Sequence, residues 1–180
     1  MATQSQHTPD YLRRYSKDHV RYEIWMFFQF GCLLATQFRA ESPELATILR
    51  NGILEAFVLH LRNILDFFYS EPRKTDIAAK MFYDSGNLPP DFPEKSPLLE
   101  EAHRRAHKEM SHLTTDRLWE GDPKKAWDFS QLMAEVKPLV EKFIKTASRS
   151  RLHPDFVQQM EHMLGLRVPK TLGTVEHKQN

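Results

Sequence analysis

Cysteine is all but missing. One residue of 180, Cys32, leaves no intramolecular disulfide to form, and a reducing, cytosolic setting fits. Glycine is scarce, with six residues, and no segment alternates β-branched with polar side chains, so strands are not expected. Charge of either sign is not in excess: 25 lysines and arginines face 24 acids, a net charge of +1. No global field therefore draws the chain to nucleic acid or to a membrane, and any anion site has to be a local patch. The most apolar run, Ile24 to Ala35, is too short to span a bilayer and is broken by Gln29. The opening stretch, MATQSQHTPDYLRRYSKDH, has no apolar signal-peptide core. There is no glycine-rich phosphate loop, no nucleophile elbow and no Cys-x-x-Cys pair.

What the chain does have is helix. Ser42 to Ser70 is the organising stretch. Ser42 is a good N-cap, Pro43 sits at the first helical position, and Glu44 places negative charge at the positive end of the dipole. At about 100° per residue, its apolar side chains cover most of the circumference, leaving one strip with Asn51, Glu55, Arg62, Asp66 and Tyr69. His60 and Asn63 fall inside the apolar arc, so burial with hydrogen-bond partners is expected. A helix this apolar has to be surrounded by others. The expected fold is all-α: an up-and-down bundle of five to six helices with this one buried at its centre.

A single domain over 1–168 follows, with 1–9 frayed and 169–180 a flexible polar tail. A first helix from about Asp10 to Arg39 pairs with the second as an antiparallel hairpin. Counting outward from the turn sets Gly31 level with Gly52, which suggests close approach of the two helices. The same count sets Glu23 near His60 and Lys17 near Asp66. A short helix over about Asp76 to Tyr83 precedes the proline-rich stretch 84–97, read as a spanning connection. Further helices are expected from Ser96-Pro97 to about Glu120, from Asp122-Pro123 to Ser148 with Pro138 inside, and from His153-Pro154 to Leu164, with Gly165 as a stop. Arg117 shares an inner face with Leu99, Ala102 and Ala106. It needs a carboxylate, with Asp66 first and Glu55 second, unless it snorkels to the helix end.

Histidine spacing offers a metal pair, His103 and His107, four apart on one helix side. A third ligand would have to come from His60 or Glu23, and no metal or other cofactor is assigned. Two Glu-x-x-His triplets, Glu100–His103 and Glu109–His112, lie on the same helix, whereas a di-iron bundle needs them on two. The remaining constellation is polar: His60, Arg62, Asn63 and Asp66 on one helix, Arg105, His112 and Arg117 on another.

The segments HLRNILDFF and SHLTTDR resemble those of a group of bacterial all-helical proteins that is itself distantly similar to the HEPN superfamily (higher eukaryotes and prokaryotes nucleotide-binding). The resemblance covers mainly these two helices, under half the chain. It implies RNA as a partner and a homodimer; the absence of a membrane partner rests on the short apolar run and the net charge alone. It also implies metal-independent RNA cleavage in a toxin or defence setting, through an Arg-x4-6-His motif met here by Arg105 and His112. His112 would then be general base and acid, and Arg105 or Arg117 would face the phosphate. Arg62, Asn63 and Asp66 would be supporting groups. The residue after Arg105 is Ala106, where catalytic members often carry a polar one. The competing reading is a non-catalytic helical protein whose polar cluster, with His60, Asn63, Asp66 and Arg117, only fixes packing.

Overall fold

The computed structural model describes residues 7–36, 41–109 and 126–166. Helix is the only regular structure among them, as composition predicts. The first rod is continuous but not uniform. It comprises α1 (Pro9–Tyr15), one π-helical turn (Ser16–Val20) and α2 (Arg21–Ala35). Thr8 caps it by accepting from the Tyr11 N–H, with Pro9 at the first helical position. The second rod, α3 (Pro43–Tyr69), begins as read from the sequence: Ser42 Oγ accepts from the Leu45 N–H. A 3-10 turn, Ala79–Phe82, replaces the short helix expected from Asp76. Then come α4 (Pro97–Glu109), α5 (Phe129–Thr146, capped by Asp128) and α6 (Pro154–Met163). Gly165, at φ +72°, ends α6 in the left-handed conformation that glycine adopts without strain. The expected continuation of α4 to Glu120, and with it His112 and Arg117, lies outside the described residues. No helix among those described is long and apolar enough to cross a membrane.

The core is aromatic. Phe27 of α2 stacks on Phe57 of α3 with ring centroids 4.7 Å apart. Phe143 of α5, fully buried, lies against Phe67, Phe68, Phe82, Tyr83 and Phe156, so it joins α3, the 3-10 turn and α6 at one point. The segment after α5 grips the 3-10 turn from outside. Arg151 donates to the Met81 and Tyr83 carbonyls, and the Ser148 N–H donates to Phe82 O. α6 is pinned to the π turn: buried Ser16 accepts from the His153 N–H at 2.9 Å, and Lys17 pairs with Asp155 at 3.0 Å. The register count that placed Lys17 beside Asp66 is therefore corrected, because the π turn and α6 take that lysine elsewhere.

Two further expectations need correction. α3 is sheathed only in its second half, where Phe57, Val58, Leu61, Ile64, Leu65 and Phe68 are buried. In its first half Leu45, Ile48 and Leu49 are exposed, Ile48 to 66%. The first rod runs beside α3 at these levels but covers only one side of it, so the remaining faces of the first half stay open. Nor do the glycines face each other. A methyl at Gly31 would collide with Met133 of α5, whereas one at Gly52 would meet nothing. Gly31 makes room for α5, which packs on α2.

The proline-rich stretch spans from the 3-10 turn to α4, as expected, and packs as it goes. Phe92 is buried against Phe68, Tyr69 donates to Pro93 O at 3.0 Å, and Asp91 pairs with Lys142. Its end delivers Lys95 to α4.

Candidate functional site

The second half of α3 carries two polar clusters, and they differ in kind. In the first, Glu23 Oε2 lies 2.7 Å from His60 Nδ1 and accepts from Asn63 Nδ2 at 3.0 Å. His60 is buried, with Phe30 stacked on its ring at 5.8 Å and the Tyr22 ring edge-on at 5.5 Å. Asn63 is only half-buried. Burial pushes the Glu23 carboxyl up, but the bonds from His60 and Asn63 and the nearby histidine charges outweigh it, and the group ends below its ordinary range. This pairing of Glu23 with His60 is the one the hairpin register predicts.

The second cluster centres on Asp66. Its Oδ1 lies 2.9 Å from His103 Nε2 and 3.4 Å from His107 Nε2, and it accepts from Ser70 Oγ at 2.8 Å. The two imidazole nitrogens are themselves 3.2 Å apart. Lys95 Nζ stands 2.6 Å from His103 Nδ1. A lysine ammonium can only donate, so in that state His103 carries its proton on Nε2, facing Asp66. Burial holds Lys95 below the ordinary lysine range, against the pull of Glu100 and Asp66. Asp66 is the reverse case. Burial raises it, but the hydrogen bonds from His103 and Ser70 and the charge of both histidines bring it down to about 2.

A cavity of about 780 Å³ opens between the first rod and α3. Tyr15, His19 and Glu23 face it from the first rod, and Arg62, Asn63 and Asp66 from α3. Arg73 and Asp76 lie at its rim, and His107 closes it from α4. Of the residues singled out from the sequence, the structure thus gathers Arg62, Asn63 and Asp66 around one space, with His60 just behind Glu23. It does not bring Arg105 there. Arg105 is half-buried with its guanidinium 4.1 Å over the Trp127 ring. At 100° per residue it is turned about 200° from His103 and from His107, onto the other side of α4. The third group beside the two histidines is Asp66, in place of His60 or Glu23. Sequence reasoning also missed Lys95, which sits in a segment without periodicity. The signals for Asp66 were its Ser70 neighbour one turn on and the His103–His107 spacing opposite.

Asp66 sets an acid sensitivity. A carboxylate whose folded pKa lies below its ordinary 3.8 adds stability that is complete above that value and is lost as pH falls toward 2. The shift is worth about 2 kcal/mol at face value. Because the side chain is 36% exposed, solvent screening brings this nearer 1 kcal/mol, on the order of a surface pair. Urea midpoints taken at pH 5 and pH 2.5 should converge in Asp66→Asn relative to the unaltered chain. Parallel loss in both would show that other carboxylates carry the effect.

Compared with known proteins, the chain matches no family model, no curated protein and no solved structure.

Proposed function

We propose that this protein is a HEPN-like helical bundle that binds single-stranded RNA along α1 and into the cavity. The observation that carries the reading is an aromatic ladder. His7, Tyr11, Tyr15 and His19 succeed one another at centroid distances of 4.8, 6.0 and 4.7 Å, and the last two line the cavity. Successive aromatic side chains beside cations are how unpaired bases and their backbone are commonly held. Arg13 and Arg14 are exposed on the same helix, and Arg62 and Arg73 border the cavity. Its volume suits a ligand of nucleotide size. RNA cleavage, under this reading, falls to His112 with Arg105 in support; Arg105 lies on the face of α4 turned away from the Asp66 cluster.

Fluorescence anisotropy with a labelled single-stranded RNA tests the binding. Tyr11 is 39% exposed, so Tyr11→Ala should fold normally. It should weaken binding about 5- to 160-fold, the value of one lost base stack. Arg14→Ala should reduce the salt slope by about 0.7. Absence of binding at low salt, or an unchanged affinity in Tyr11→Ala, would sink the proposal. For cleavage, His112→Ala should leave a mixed RNA pool intact at an unaltered melting temperature.

A second, non-catalytic reading has its own support for one of the two clusters. Glu23, His60 and Asn63 satisfy one another, and such a group holds α2 to α3 without any ligand.

A further inference from the structure

We propose that Asp66, His103 and His107 form a binding site for a divalent transition metal of the zinc class. The site opens on the same cavity as the ladder but uses none of the ladder residues as ligands, so metal binding can be tested without RNA. Among the described residues these are the three His, Cys, Asp or Glu side chains whose ligand atoms converge, all within 4.8 Å of one another. Their separations are more telling than their proximity. Zinc with tetrahedral bonds of about 2.0–2.1 Å sets its ligand atoms about 3.3–3.4 Å apart. Here the three edges are 2.9, 3.2 and 3.4 Å, so the triangle is within about half an ångström of one tetrahedral face.

A single oxygen, Asp66 Oδ1, is the meeting point of Ser70 Oγ and both imidazoles. The two ring nitrogens also face each other at hydrogen-bond distance. A cation between them would take both lone pairs and one carboxylate charge, while Ser70 would hold the carboxylate in place from outside. Two imidazoles and one carboxylate select zinc, cobalt or iron(II) over magnesium, which prefers oxygen ligands and keeps its waters. Asp66 and His107 both line the cavity, so the face away from the three ligands is reached from it. Three protein ligands with access from a cavity is the pattern of a reactive rather than a purely structural zinc site. Of the four carboxylates on the cavity walls, Glu71 pairs with Lys80 and Glu23 with His60, which leaves Asp66 and Asp76 to face an incoming cation.

Lys95 supplies the discriminating test. Zinc on His103 Nε2 needs that nitrogen bare, so the ring proton moves to Nδ1, and the lysine ammonium loses its acceptor. Lys95 must then turn away or give up a proton. Removing it should strengthen zinc binding, whereas a merely structural Lys95–His103–Asp66 chain predicts only a loss of stability.

The experiment is zinc titration of the full chain by calorimetry in the absence of RNA, with cobalt absorption as a second readout. The expected result is one zinc per chain and cobalt bands of a four-coordinate site, with magnesium unable to compete. His107 is half exposed at the side chain, so His107→Ala should stay folded. It should cost more than the 10- to 100-fold typical of an outer partner. Lys95→Met should gain about tenfold, and Lys95→Glu more, because its carboxylate can accept from Nδ1–H. Exposed His162, on α6, serves as a control, and His162→Ala should change nothing. No stoichiometric binding, or binding indifferent to His107→Ala, overturns the proposal. Failure of RNA to bind would leave it standing.

Discussion

Phe143→Ala should lower the stability of this protein by about 3–5 kcal/mol, the usual cost of removing a fully buried ring. The reason is position. Phe143 has no exposed surface and lies within aromatic contact of five rings drawn from α3, the 3-10 turn and α6. No single neighbour can move into the space without leaving another. In a chain of this length each kcal/mol shifts the melting midpoint by roughly 2–4 °C, so a drop of about 6–20 °C is expected in a thermal scan. Phe143→Leu keeps most of the volume and should lose well under half as much. A drop of less than about 3 °C in Phe143→Ala would mean that the five contacts are not what joins these elements.

Glu23→Ala should be the most damaging single change among the charged residues, at about 3 kcal/mol. Two donors depend on one oxygen, His60 Nδ1 at 2.7 Å and Asn63 Nδ2 at 3.0 Å. Each donor left without a partner in or near the core costs roughly 1–3 kcal/mol. His60 is the worse placed of the two, since it is buried between Phe30 and Tyr22 and cannot turn to water. Glu23→Gln keeps an acceptor of the same reach and should recover much of the loss. Urea unfolding of the two variants side by side separates the outcomes. Equal losses would mean that the charge matters and the hydrogen bonds do not; no loss in either would mean that His60 finds another acceptor.

The all-α architecture was legible because periodicity, caps and proline positions agree locally. Ser42, Pro43, His153, Pro154 and Gly165 mark helix ends as side-chain chemistry requires. The Glu23–His60 pair was legible too, since a tight hairpin links residue levels by simple counting. That counting holds only while both helices keep one period. It failed for Lys17, which lies within the π turn, where no residue composition announces the change. The partners of Asp66 were hidden for a different reason. They arrive on α4 after an irregular segment whose path is set by Phe92, Tyr69 and Asp91, contacts with no sequence period. Arg117, the first partner expected for that carboxylate, lies outside the described residues; among those described, His103 and His107 stand against it. The apolar circumference of α3 was real, but composition reports how much surface wants cover and not on how many sides neighbours arrive to supply it.

The π turn has one more consequence. Tyr15 and Glu23 are eight residues apart, and in an unbroken α-helix they would point about 80° away from each other. The extra residue held in Ser16–Val20 takes about 100° out of that angle, leaving the two within about 20°. The turn therefore acts as a phase correction between two stretches of one helix. It aims the stacking residues before it and the carboxylate after it into the same space. Straightening it would not unfold the rod; it would swing the whole leading end around the axis and leave the cavity with half of one wall.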